Sequence, residues 1–166
     1  MRAIVALGLA GVLLGTAACS GASGSDAPAA AEKPAPQGPY KSTRLPSSYR
    51  IPDVVLTDQD GRPYDLAGTG QGKITILFFG YTHCPDICPT TMADAAGAMS
   101  LLSPAEKART RVVFVTADPA RDKPKVLKGF LGKFDTSFVG LTGPYDEIKK
   151  AAADAKTPIS PPPADA

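Results

Sequence analysis

Residues 74 to 88, ITILFFGYTHCPDIC, run from a short apolar stretch into two cysteines four positions apart, and no other segment restricts the fold as tightly. Ile74, Ile76, Leu77, Phe78 and Phe79 are aliphatic or aromatic and stand between Gly72 and Gly80, a pattern that predicts a strand. Apolar residues at successive positions predict burial on both faces, hence a central strand. Beyond Cys88, Met92, Ala95, Ala96 and Met99 recur at helical spacing, and Pro89 sits where a first-turn proline is tolerated. The cysteines therefore fall in the turn and first coil of a helix that leaves the end of a strand. If residues 84 to 88 are roughly helical, their i, i+4 relation puts both sulfurs on one face, close enough for a disulfide or for one metal ion. Unpaired amides and the partial positive charge at the helix start would stabilise a thiolate on Cys84. Two inert core thiols are the plain alternative, but Pro85 and Asp86 between them make a poor buried segment.

The N-terminus is organised differently. Met1-Arg2 followed by AIVALGLAGVLLGTAA is a basic start, an apolar stretch and then small residues, the layout of an export signal over residues 1–18. Ala17 and Ala18 precede Cys19, which resembles the acylated first residue of a bacterial lipoprotein; Thr16 stands where an apolar residue is usual. A lipid anchor on Cys19 is the expectation, with a soluble exported protein or a retained anchor as alternatives. The following residues, SGASGSDAPAAAEKPAPQGP, contain no large apolar side chain and cannot repay the entropy of ordering, so residues 19–45 are expected to form a flexible tether.

Counting Cys19 as an anchor leaves Cys84 and Cys88 as the only thiols of the domain. A staple closing so short a loop stabilises little, so the pair is better explained by redox exchange or metal binding. The net charge of +2 is made of interspersed acids and bases, with no basic stripe of the kind that binds nucleic acid. GTGQG at 68–72 lacks phosphate-loop spacing and precedes a strand, not a helix.

The remaining elements complete an α/β order. Val54 to Leu56 and Tyr64 to Leu66 read as a small hairpin turning at Asp60-Gly61. Pro104 and Glu106 begin a polar interval, and Arg111 to Thr116 is a second buried strand. KPKVLKGFLGKF is an amphipathic helix with Val126, Leu127, Phe130 and Leu131 inward. Phe138 to Leu141 is a brief strand, and a last helix spans about Asp146 to Ala155. A proline-rich tail, 156–166, follows, in which regular structure is excluded. This order predicts a mostly parallel sheet with helices on both faces and active groups beyond the carboxyl ends of its strands. Asp118 leaves the strand at 111–116 much as the cysteines leave the strand at 74–79, so the two loops should face each other. An Asx turn or a cap before Pro119 is an equally good reading of Asp118.

YTHCPDICP, TADPARDKP at 116–124 and LKGFLGKFDTSFVGLTG at 127–143 together resemble the SCO1/SenC family of thioredoxin-like copper proteins, over roughly residues 46 to 150. The resemblance implies a thioredoxin-like α/β domain over 46–155 with a central sheet flanked by helices. It also implies a monomer tethered to the outer face of the cell membrane. Such a protein delivers copper to the CuA-bearing subunit of cytochrome c oxidase, or keeps that site's cysteines reduced. On this resemblance Cys84 and Cys88 match the family's copper-binding cysteines, and Asp118 matches an acidic residue near the metal. The family's downstream histidine segment, of the form DYxVDHS, has no counterpart; the only histidine is His83. The domain is therefore expected to be C-terminally incomplete, by truncation or by divergence, with an exposed sheet edge. Two thiolates suffice for Cu(I), whereas Cu(II) also wants nitrogen. For His83, a ligand, a tuner of the Cys84 thiolate and a plain exposed side chain all remain open, and Tyr81 reads as packing beside the site. Three functions follow: a copper chaperone, a thiol-disulfide reductase in which Cys84 attacks and Cys88 resolves, and a remnant that does neither. The extra residue in CxxxC relative to CxxC weighs slightly against the reductase.

Overall fold

The computed structural model describes residues 48–162. The export signal, Cys19 and the tether lie outside the described residues. Asp58 makes the first turn: its Oδ1 accepts from the amides of Asp60 at 2.9 Å and Arg62 at 2.8 Å, while Gly61 takes a φ of +79° that a side chain would resist. That turn joins β1 (Val55–Asp58) to β2 (Pro63–Asp65), with Leu56 opposite Tyr64. A short 3₁₀ turn, Gly68–Gly70, leads to β3 (Ile74–Gly80). Then come α1 (Ile87–Ser100), α2 (Pro104–Arg109), β4 (Thr110–Thr116), α3 (Pro124–Leu131), β5 (Val139–Thr142) and α4 (Tyr145–Asp154). The α/β order is as the sequence predicts, with one addition. The polar interval holds α2, started by a capping box in which the Glu106 amide donates to Ser103 Oγ and the Ser103 amide donates to Glu106 Oε2 at 2.8 Å.

The sheet order is β2-β1-β5-β4-β3. β3 and β4 pair in parallel from Ile74↔Thr110 to Gly80↔Thr116, and β4 and β5 are also parallel, but β1 is antiparallel to both β2 and β5. The sheet is thus mixed where a mostly parallel one was expected. The N-terminal hairpin inserts beside the last strand and runs against it.

β3 is also not central. It is the edge strand of the described sheet, with Ile74 59% and Ile76 38% exposed, and the strand buried along nearly its whole length is β4. An apolar run reports what covers the faces of a strand, not whether a further strand pairs with it, which is why periodicity misplaced it.

Alternation along β4 divides the interior into two layers. Val113 and Val115 join Leu56, Leu141 and Ile148 under α4, while Val112 and Phe114 join Met92, Met99, Leu127 and Leu131 under α1 and α3. Phe114 is fully buried, its ring 5.8 Å from Phe78 and 5.6 Å from Phe130. Of the expected inward positions on α3, Leu127 and Leu131 are buried, Phe130 is half-buried, and Val126 is 38% exposed. α4 ends where Lys156 adopts φ +57° and its amide donates to the Ala153 carbonyl at 2.9 Å. Beyond it the chain runs without helix or strand to residue 162, and Ile159 packs against the layer under α4. None of the helices among the described residues is long and apolar enough to cross a membrane.

Candidate thiol site

Parallel pairing brings the carboxyl ends of β3 and β4 side by side, Gly80 against Thr116, and the loops leaving them meet there. The Ala117 amide donates to the Gly80 carbonyl at 2.6 Å, extending the ladder past the strand ends. Residues 81–86 form a tight turn in which the Cys84 amide donates to the Tyr81 carbonyl at 3.3 Å. Cys84 therefore precedes the helix, and Cys88 is the second residue of α1.

At the helix start, the capping residue Asp86 makes no side-chain cap. The Cys84 sulfur takes that part, accepting from the Cys88 amide at 3.4 Å. Both cysteines are free thiols, Cys84 half-buried and Cys88 4% exposed. Gly80 makes room for the inner one, since a Cβ there would lie 2.8 Å from Cys88 Sγ and 2.6 Å from the Phe78 ring.

The two sulfurs are driven apart in acidity. Partial burial pushes Cys84 up, but the Cys88 thiol and the amides of Cys88, Asp86 and Ile87 all hydrogen-bond its thiolate and bring it below an ordinary thiol. Burial pushes Cys88 up to about 11, reinforced by the hydrogen bond and charge of Cys84 and by the charge of Asp122. The outer sulfur therefore ionises before the inner one, which holds its proton longer. The Tyr81 hydroxyl is raised by desolvation, by the charges of Cys84 and Cys88 and by hydrogen bonding to the Cys84 sulfur, so it holds its proton beside the thiolate.

Asp118 and its neighbours rearrange the expected second layer. The 117–122 loop does face the cysteine loop, but the Asp118 carboxylate is engaged by Arg121, and its amide donates to Thr116 Oγ1 at 2.9 Å. The carboxylate bonded to the cysteine loop is Asp122, fully buried. Its Oδ2 accepts from the Thr82 amide at 2.9 Å and from Thr116 Oγ1 at 2.6 Å, and its Oδ1 accepts from Thr82 Oγ1 at 2.6 Å. Asp122 thereby moors the cysteine loop to the end of β4. A signal was present in TADPARDKP, which carries two acids four positions apart; only the fold shows which one bonds the cysteine loop. His83 leans the same way, Nδ1 lying 3.1 Å from Thr82 Oγ1 and 3.8 Å from Asp122 Oδ1, with its side chain 54% exposed.

Among the described residues, no three His, Cys, Asp or Glu side chains converge on a point that could hold a metal. The donor set is the two sulfurs, the outer one the more acidic, which fits a soft ion of low coordination number better than one that demands nitrogen or oxygen.

Comparison with known proteins agrees with this geometry. The chain is 39% identical over 107 residues to mitochondrial protein SCO2 of Saccharomyces cerevisiae, spanning 64% of this chain and 35% of that one. Yeast Sco1, solved with copper bound, superposes with a TM-score of 0.63 at 35% identity, covering 70% of this chain and 64% of that one. A SCO1/SenC family lipoprotein from Bacillus anthracis superposes at 0.57 with 31% identity, covering 65% of this chain and 66% of that one. The chain thus spans from about a third to about two thirds of these relatives. The SCO1/SenC family model matches residues 46–160, taking in the hairpin, both thiols and Asp122, and the chain belongs to that family.

Proposed function

We propose that this protein is a membrane-tethered metallochaperone that holds Cu(I) between Cys84 and Cys88 and delivers it to the CuA site of cytochrome c oxidase. The observation that carries this reading is the pair of free thiols at one helix start, with Cys88 Sγ seated against Gly80 and Cys84 half-buried. Loading requires both sulfurs as thiolates, Cys84 losing its proton more readily than Cys88, and the half-buried outer cysteine gives an incoming thiolate a point of attack from which to take the ion. Likeness to copper-bound yeast Sco1 supports the choice of ion, and likeness to the Bacillus lipoprotein supports acylation at Cys19 and residence on the outer face of the membrane. Competition titration of the reduced full chain with Cu(I) against a chelator tests it. One-to-one binding lost in both Cys84→Ser and Cys88→Ser is expected, and stoichiometric binding that survives either change would overturn it.

The same asymmetry favours a second reading, thiol-disulfide reduction. The Cys84 thiolate would attack a partner disulfide and release one partner thiolate; Cys88, giving up its proton, would then displace the second and leave a Cys84–Cys88 disulfide. Its signature is turnover on a disulfide substrate that needs Cys84 and stalls as a mixed disulfide in Cys88→Ser.

A further inference from the structure

The pole of the sheet opposite the thiols contains a second built site. Arg111, the second residue of β4, is 8% exposed, a guanidinium taken almost wholly out of water. Its Nε donates to Thr75 Oγ1 at 2.8 Å, Nη1 to Tyr64 Oη at 2.6 Å and Thr69 Oγ1 at 2.7 Å, and Nη2 to the Leu66 carbonyl at 2.7 Å. The guanidinium carbon also lies 5.8 Å from the centre of the Tyr64 ring. Every one of these acceptors is neutral, and among the described residues no carboxylate pairs with Arg111. A buried cation satisfied only by neutral oxygens keeps its field uncompensated.

That field opens into a cleft of about 560 Å³ lined by Tyr64, Thr69, Lys73, Lys107 and Arg111. The lysines come from different elements, Lys73 from the entry to β3 and Lys107 from α2, so cations from three segments line one cleft. One carboxylate, Asp135, also lines the cleft, accepting from the Ser137 amide at 2.8 Å, so the cations outnumber the acids there. The wall is fitted closely, because a Cβ at Gly70 would collide with Arg111 Nη2.

We propose that this cleft binds a phosphate group, with Lys73 and Lys107 contacting its oxygens and Arg111 supplying the buried countercharge. Phosphate chemistry fits because a tetrahedral oxyanion can take donors from several sides at once, as the two lysines and the Tyr64 hydroxyl beside the Arg111 charge provide, whereas Thr69 Oγ1 gives its proton to the Asp65 carbonyl. Two sources carry that group, free phosphate and the headgroup of an anionic phospholipid. The surroundings suit the second. Leu101, 87% exposed at the end of α1, and Ile74, 59% exposed at the start of β3, stand at this same end of the sheet, an arrangement of apolar and basic side chains that suits a lipid surface. With a headgroup bound, the thiols at the other pole would point away from the membrane.

The test uses the isotope-labelled full chain with reduced thiols, titrated with inorganic phosphate in one arm and with vesicles of phosphatidylglycerol or phosphatidylcholine in the other. Saturable amide shifts at Thr69, Lys73, Thr110 and Arg111 on adding phosphate are expected, with Cys84 and Cys88 unmoved. Lys73→Gln with Lys107→Gln, both exposed, should weaken that binding about tenfold or more and leave the unfolding transition and Cu(I) binding as in the parent chain. Preference for phosphatidylglycerol that the double variant loses assigns the phosphate to a lipid headgroup. Phosphate binding without any vesicle preference assigns it to free phosphate. Absence of saturable phosphate shifts, or a double variant that binds as the parent does, overturns the site.

Discussion

The Cys88 amide donates to the Cys84 sulfur across 3.4 Å, and this bond joins the loop that precedes α1 to the helix itself. It places the outer sulfur where a capping oxygen usually sits, so the orphan donors of the helix start are spent on a thiolate. The consequence is division of labour between two otherwise identical side chains: Cys84 is charged early, and Cys88 retains its proton to about pH 11.

Alkylation should reveal that division. At neutral pH iodoacetamide is expected to modify Cys84 well before Cys88, as peptide mapping by mass spectrometry would show; equal labelling would refute the asymmetry. The linkage to stability has opposite signs at the two sulfurs. Cys84 is lowered on folding, so its contribution is present above the unfolded thiol's pKa and lost as pH falls through the folded value. Cys88 is raised, so the folded state loses stability as pH climbs from the ordinary thiol range toward about 11. Denaturant melts of the reduced protein should therefore weaken along that alkaline limb, and Cys88→Ser should remove the weakening.

Gly80→Ala tests the fit of the inner sulfur. The added methyl would stand 2.8 Å from Cys88 Sγ and 2.6 Å from the Phe78 ring, and neither the helix start nor the β3 to β4 pairing leaves room to yield. A loss of about 1–3 kcal/mol in unfolding free energy is expected. Cu(I) affinity should fall with it because the two sulfurs are displaced relative to each other. An unchanged melting temperature with unchanged Cu(I) affinity would show that the contact relaxes freely.

Much of this arrangement was legible before the fold was known, and the exceptions share a cause. The strand, the thiol pair and the helix face of Met92, Ala95 and Met99 follow from local pattern, because each is fixed by neighbours within a few residues. The edge position of β3, the antiparallel seat of β1 against β5 and the choice of Asp122 over Asp118 depend on pairings between segments far apart in sequence, about which periodicity is silent. α2 was the avoidable omission: Ser103-Pro104-Ala105-Glu106 is a capping box with proline at its first helical position, readable without any tertiary information.

Asp122→Asn probes the mooring of the cysteine loop. The carboxylate is fully buried and accepts three hydrogen bonds, two on Oδ2 and one on Oδ1; an amide nitrogen at Oδ2 would face the Thr82 N–H, and at Oδ1 it would force the Thr82 hydroxyl to turn round and accept. A cost of about 1–3 kcal/mol is expected from exchanging charge-assisted bonds for weaker or mismatched ones. The charge that raises Cys88 would also vanish, so the Cys88 pKa should move down, measurable as an earlier onset of thiolate absorbance on alkaline titration. Stability loss without that movement would confine Asp122 to a purely mechanical part.

The edge of the sheet carries its own prediction. β3 is seven residues long and contains no charge and no proline, and Ile74 and Ile76 are exposed beside an unpaired backbone among the described residues. Natural sheets protect such edges with lysines, prolines or bulges, and none is built into this strand. Ile76→Lys places a cation at the centre of the exposed side while burying nothing new. It should change the unfolding free energy by no more than about 0.5 kcal/mol and raise the temperature at which the reduced protein begins to scatter light. Scattering that starts at the parent's temperature, with the unfolding transition intact, would mean that association runs through another surface and that the β3 edge is covered in solution.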